Sequence, residues 1–100
     1  ADGLVVTQAV EPEALEAAAA RFASEQPAMA AGWLVFAANH RAADGPSSSF
    51  PQIVKDLLQV QDLALRNRQE LPFRRSLRRF RARFAASPRL LALLDAAGLK

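Results

Sequence analysis

Five of the six prolines stand where a helix would begin: Glu11-Pro12, Gln26-Pro27, Phe50-Pro51, Leu71-Pro72 and Ser87-Pro88. Proline suits the first helical position because its missing N–H would be unpaired there anyway and its fixed φ is already helical. Deeper in a helix it breaks the hydrogen-bond ladder. The five positions therefore read as opening brackets. Alanine is heavily represented while Val, Ile, Thr and aromatic residues are sparse, which favours close-packed helices over strands. The expected fold is all-α: a single compact bundle of about five helices over residues 11–100, each opened by a proline. Residues 1–10, ADGLVVTQAV, are expected to form a short extended N-terminal arm or a short strand.

The first helix is expected from Pro12 to about Ser24, with Glu13 and Glu16 near its positive end and Leu15, Ala18, Ala19 and Phe22 on one stripe. The second, Pro27 to about Ala43, carries Met29, Trp33, Leu34, Phe36 and Ala37 nearly all the way round and is expected to be the central, most buried element. A strand over Trp33–Ala38 is the competing reading. Helix is preferred because the Ala-rich flanks extend the run beyond ordinary strand length and no turn signal cuts it. Asp44-Gly45-Pro46-Ser47-Ser48-Ser49 is a loop of turn-forming residues. Ser49 followed by Gln52 fits a capping box, and Ile53, Leu57, Val60 and Ala64 continue at helical spacing to about Arg68. A fourth helix opens at Pro72. A fifth has Ser87 as N-cap, Leu90, Leu91 and Leu94 as its apolar face and Gly98 as its stop.

One hundred residues make one domain, near the lower end of sizes that bury an adequate core unaided. Without cysteine the core must suffice without disulfides or thiolate metal ligands, and a thiol nucleophile is excluded. No run reaches the roughly 20 apolar residues that a bilayer span requires, since Ala28–Ala38 stops at Asn39-His40-Arg41. The chain opens on Ala-Asp-Gly, with neither a Met nor a basic stretch leading into an apolar one. The expectation is a domain trimmed or excised from a longer chain, without a secretory leader, in the cytoplasm by default and with a nuclear location left open.

Charge divides the chain. Residues 1–50 hold two basic and six acidic side chains, net −4, whereas residues 51–100 hold eleven and four, net +7. The basic half centres on PFRRSLRRFRARF, residues 72–84. There Phe73, Leu77, Phe80 and Phe84 fall on one helical stripe, and Arg74, Arg75, Arg78, Arg79, Arg81 and Arg83 occupy the remaining circumference. A domain of this size cannot leave three Phe exposed, because burying each stabilises by roughly 1.5–3 kcal/mol. The arginines then face water or a partner. One reading is a solvated face, partly neutralised by Glu70, Asp62 or Asp95. The sharper one is an anion-facing surface, since guanidinium groups at helical spacing repel one another and gain from a negative partner. No Asn or Gln lies among these arginines to read a base edge, and the Phe residues are claimed by the core rather than free to stack on bases. A membrane-surface helix would need the same apolar face.

Catalytic chemistry lacks its usual parts. The one His, His40, reads as a surface or helix-end residue. Glu11, Glu13 and Glu16 suit a helix N-terminus better than acid/base work, and the four glycines are too scattered for a phosphate cradle. No enzyme activity, cofactor or metal is expected. Leu57–Phe84 is similar in spacing to the PUB domain, a module that grips short C-terminal peptides in ubiquitin and ATPase pathways. Asn67, Phe73-Arg74, Phe84 and the later LLDAAGL are the matching features. Arg68 stands where that family has Asn-Pro, the Asn before the later Phe is missing, and the match covers less than half the chain, so no membership is assigned. The expected function is a macromolecular interaction module that binds an acidic or amphipathic protein segment or partner helix. Arg66, Arg68, Arg74, Arg75, Arg78, Arg79, Arg81, Arg83 and Arg89 would carry the binding. A small non-specific nucleic-acid-binding domain using the same face is the alternative, and a structural or oligomerisation domain the third.

Overall fold

A computed structural model describes residues 11–100. The arm or strand expected over residues 1–10 lies outside the described residues. Among the described residues the chain forms five α-helices, one 3₁₀ turn and no strand: α1 Pro12–Phe22, α2 Pro27–Asp44, the turn Ser47–Ser49, α3 Phe50–Arg66, α4 Glu70–Arg83 and α5 Pro88–Ala96. The competing strand at Trp33–Ala38 is therefore helix. Pro12, Pro27, Pro51 and Pro88 occupy the first or second helical position as expected. Pro72 does not. α4 opens two residues earlier, at Glu70, and its first backbone bond runs from Phe73 N–H to the Gln69 carbonyl at 3.1 Å. Pro72 costs nothing there, because the first-turn N–H groups have no intrahelical acceptor.

Two expected caps take other forms. Ser49 makes no capping bond to the helix that follows; it closes the 3₁₀ turn instead, its Oγ donating to the Pro46 carbonyl at 2.7 Å. Gln52, the other half of the expected box, donates to Asp56 at 2.9 Å. Ser87 occupies the N-cap of α5 without a side-chain capping bond. The helix ends are better defined. Gly98, at φ 82°, lets Leu99 N–H return to the Leu94 carbonyl at 2.8 Å and buries the Leu99 side chain. Arg68 makes the same left-handed reversal after α3, at φ 57°, with Gln69 N–H on the Ala64 carbonyl at 2.7 Å. α3 thus ends at Arg66, short of the expected Arg68. Gly45 closes α2 for a different reason: a Cβ there would lie 2.6 Å from the Arg41 carbonyl oxygen.

α2 packs on α1 and α3, and α3 in turn carries α4 and α5. The core joins Ala19, Ala30, Leu34 and Ala38 to the α3 stripe Ile53, Leu57, Val60 and Ala64. Phe73, Leu77 and Phe80 of α4 and Leu90, Leu94 and Leu99 close over it. The edge-to-face pair Phe22–Trp33, centroids 6.1 Å apart, fixes α1 against α2. α2 is not buried all round, contrary to expectation. Met29 is 49 % and Phe36 56 % exposed, because α1 and α3 cover two sides of the helix while α4 lies across α3 rather than against α2.

Candidate functional site

The stripe of α4 turns inward as its spacing requires. Phe73, Leu77 and Phe80 are buried, and Phe84 is half-buried with its ring 4.8 Å from that of Phe80. The arginines occupy the rest of the circumference, but not equivalently. Arg74 pairs with Glu70 at 2.9 Å along its own helix. Arg81, half-buried, reaches Asp95 at 2.9 Å and donates to the Leu99 carbonyl at 3.0 Å, tying α4 to the end of α5. Arg83 donates to Asn39 Oδ1 at 3.1 Å while its guanidinium lies 5.3 Å from the Phe84 ring centroid. Arg75, Arg78 and Arg79 are exposed and make no ion pair among the described residues.

Of the other arginines assigned to the surface, Arg66 pairs with Asp62 at 3.1 Å and borders a depression at the α1–α2 turn with Ala20, Ala23 and Ser24. Arg68 sits in the α3–α4 link and Arg89 in the first turn of α5, both exposed. The nine residues are thus spread over α3, the α3–α4 link, α4 and α5.

The belt has two flanks. On one, Arg74, Arg78 and Arg81 border a depression of about 430 Å³ together with Leu65 and Lys100. On the other, α4 faces α2 across an apolar groove. One part, about 480 Å³, is floored by Val60, Leu63, Ala64 and Phe73 and walled by Ala28, Ala31, Gly32 and Val35 of α2 and by Pro72 and Ser76 of α4. Gly32 and Val35 also line a second depression of about 470 Å³, which runs past Phe36, Asn39 and His40 to Arg83. His40 Nε2 stands 3.9 Å from Asp44 Oδ2 at that end.

Sequence reasoning missed a polar cluster beneath α1. Glu16 and Arg41 form a two-pronged ion pair, Nε to Oε2 at 2.9 Å and Nη2 to Oε1 at 2.7 Å, so Glu16 is more than a helix-end carboxylate. Beside them Asp56 is 1 % exposed; Gln52 donates to its Oδ1, and Oδ2 has no partner that an ionised carboxylate could use. Burial, then the hydrogen bond and negative charge of Glu16, push the Asp56 carboxyl up to about 8 from 3.8. It is held protonated at neutral pH. For Glu16, burial alone would raise the pKa, but hydrogen bonds with Arg41 and Asp56 and the Arg41 charge outweigh it and hold the carboxylate below its ordinary value. The hydrogen bond to Glu16 likewise raises Arg41. None of the four residues lines the grooves described above, so a substrate in those grooves would not meet them. The local signal was a carboxylate on the α3 stripe, three residues after Ile53 and four before Val60.

No protein-family model, curated protein or solved structure matches the chain, and the PUB-like spacing of Leu57–Phe84 carries no family assignment.

Proposed function

We propose that the protein is a non-enzymatic interaction module that binds an acidic or amphipathic protein segment through the basic face of α4. The observation that carries this reading is the crowding of Arg75, Arg78 and Arg79 without an acidic partner among the described residues. Five like-charge pairs stand three or four residues apart on α4: Arg74/Arg78, Arg75/Arg79, Arg79/Arg83, Arg75/Arg78 and Arg78/Arg81. Each opposes the helix by about 0.2–0.5 kcal/mol in an isolated host, and a bound anion relieves all of them together. Protein is favoured over nucleic acid for two reasons. The belt holds no Asn or Gln to read a base edge, and Phe73 and Phe80 are buried and so not available as stacking platforms.

The test is charge reversal. Arg75→Glu, Arg78→Glu and Arg79→Glu together leave far-UV circular dichroism unchanged and abolish capture of acidic peptides by the immobilised protein. Unchanged capture returns the arginines to a solvated face or a structural role. Binding that is tighter on arbitrary duplex or single-stranded DNA, and that collapses between low and moderate salt, transfers the face to nucleic acid.

A further inference from the structure

We propose that the groove between α2 and α4 seats one amphipathic α-helix of a partner protein, its apolar face on Gly32 and Val35 and its carboxylates toward Arg79 and Arg83. The proposal rests on the reading of α4 as an anion-binding face and names the partner's shape and seat.

Three features of the groove point to this occupant. First, its two parts share Gly32 and Val35, so they adjoin along α2, and the open stretch runs from Ala28 to the Arg83–Asn39 hydrogen bond that joins the two walls. At 1.5 Å per residue that stretch is about 16 Å long, which matches a helix of about three turns. Second, Gly32 sits at the waist in mid-helix, where glycine costs roughly 0.5–1 kcal/mol against alanine. A Cβ at Gly32 would meet nothing within 4 Å, so packing inside the chain does not require the glycine. What its missing side chain provides is clearance for an approaching backbone. Third, charge on the two walls is one-sided. Pro72, Ser76 and Arg83 line the α4 side and Arg79 falls on the same stripe by its spacing, at intervals of four, three and four, whereas Pro27–Asn39 on the α2 wall contains no ionisable residue.

The exposed Met29 and Phe36 extend the apolar surface on the α2 side. Asp44 at the far end repels a carboxylate there and leaves the α4 flank as its place. An occupant that satisfies both walls is apolar on one face and acidic on one adjoining flank. A helix meets that condition with anchors three and four residues apart. A phosphodiester backbone does not fit the trough, whose floor is Val60, Leu63, Ala64 and Phe73.

The experiment uses two labelled synthetic peptides of about 18 residues and identical Leu, Glu and Ala composition. One has Leu on a single helical face with Glu beside it; the other has the same residues scrambled so that no face forms. Fluorescence anisotropy is read against the wild-type chain, Gly32→Phe, Ser76→Phe and the triple Arg75/Arg78/Arg79→Glu variant, and each protein's fold is checked by circular dichroism. The expected result is that wild type prefers the amphipathic peptide. Gly32→Phe weakens that binding by about tenfold or more while leaving the weaker scrambled-peptide binding unchanged. Ser76→Phe, which fills the trough from the opposite wall, does the same and serves should Gly32→Phe not fold.

Wild-type affinity for the amphipathic peptide in both folded Phe variants overturns the groove as its seat, and so does equal wild-type affinity for the two peptides. A wild-type dimer in sedimentation that dissociates in Gly32→Phe also overturns the proposal, since the occupant is then a second copy of the chain. If the triple Arg→Glu variant binds both peptides as wild type does, the anion-binding reading of α4 itself fails. That outcome is separate from loss of the groove alone.

Discussion

Asp56→Asn tests the buried carboxyl cluster directly. The acid is held at about 8 in the folded chain against 3.8 as its ordinary value. A group that binds its proton more tightly when folded contributes its full stabilisation below the unfolded pKa and loses it as pH rises through the folded one. For Asp56 the window runs from 3.8 to about 8. At 1.36 kcal/mol per pKa unit, stability should fall by about 1.4 kcal/mol per pH unit inside it, or about 3 kcal/mol between about pH 5 and about pH 7.5. Glu16 acts in the opposite direction: its lowered pKa gives stability that is present above the ordinary 4.5 and lost as pH falls through the folded value. The wild-type curve is therefore expected to be a dome with its maximum between pH 3.8 and 4.5.

Asparagine reproduces the protonated acid, since its amide N–H can donate to Glu16 and its oxygen can accept from Gln52, yet it has no proton to lose. Urea unfolding followed by far-UV circular dichroism should place the two proteins within about 1 kcal/mol of each other at about pH 4, and the variant's lead over wild type should grow by about 3 kcal/mol between about pH 5 and about pH 7.5, with equal m-values. Parallel pH profiles for the two proteins would refute the reasoning, because Asp56 would then not be titrating in that window.

Three further substitutions probe the packing. Phe80→Ala removes a ring that is 3 % exposed and should cost about 3–5 kcal/mol, enough to lower the melting temperature steeply; a normal melt means the ring is not a core anchor. Arg68→Gly relieves a non-glycine residue at φ 57° and should stabilise by about 0.5–1 kcal/mol in chemical denaturation, whereas a loss would show that the Arg68 side chain makes contacts worth more than the backbone strain. Arg41→Ala strands Glu16 beside Asp56 and is expected to destabilise by about 3 kcal/mol at neutral pH; a cost below about 1 kcal/mol would place the pair in effectively aqueous surroundings.

The sequence carried the number of helices, four of the five proline starts and the whole α3 stripe, because these depend on residues within one or two turns of each other. It misplaced what depends on neighbours. The apolar perimeter of α2 implied burial on every side, yet coverage is decided by where α4 lies, and α4 rests on α3. The belt of arginines was legible as a belt. Its division into tethered and free members was not, since Arg81 is held by Asp95 and Leu99 and Arg83 by Asn39, residues far along the chain. The Glu16–Arg41 pair spans 25 residues and meets Asp56 only when α1, α2 and α3 pack. Both the buried acid and the open groove thus follow from the same placement. α1 and α3 sandwich α2 tightly enough to enclose a carboxyl, while α4 stands off and leaves the opposite flank of α2 uncovered. A change that moved α4 onto α2 would fill the groove without touching the acid, so peptide binding and pH-dependent stability should respond independently to substitutions in the two places.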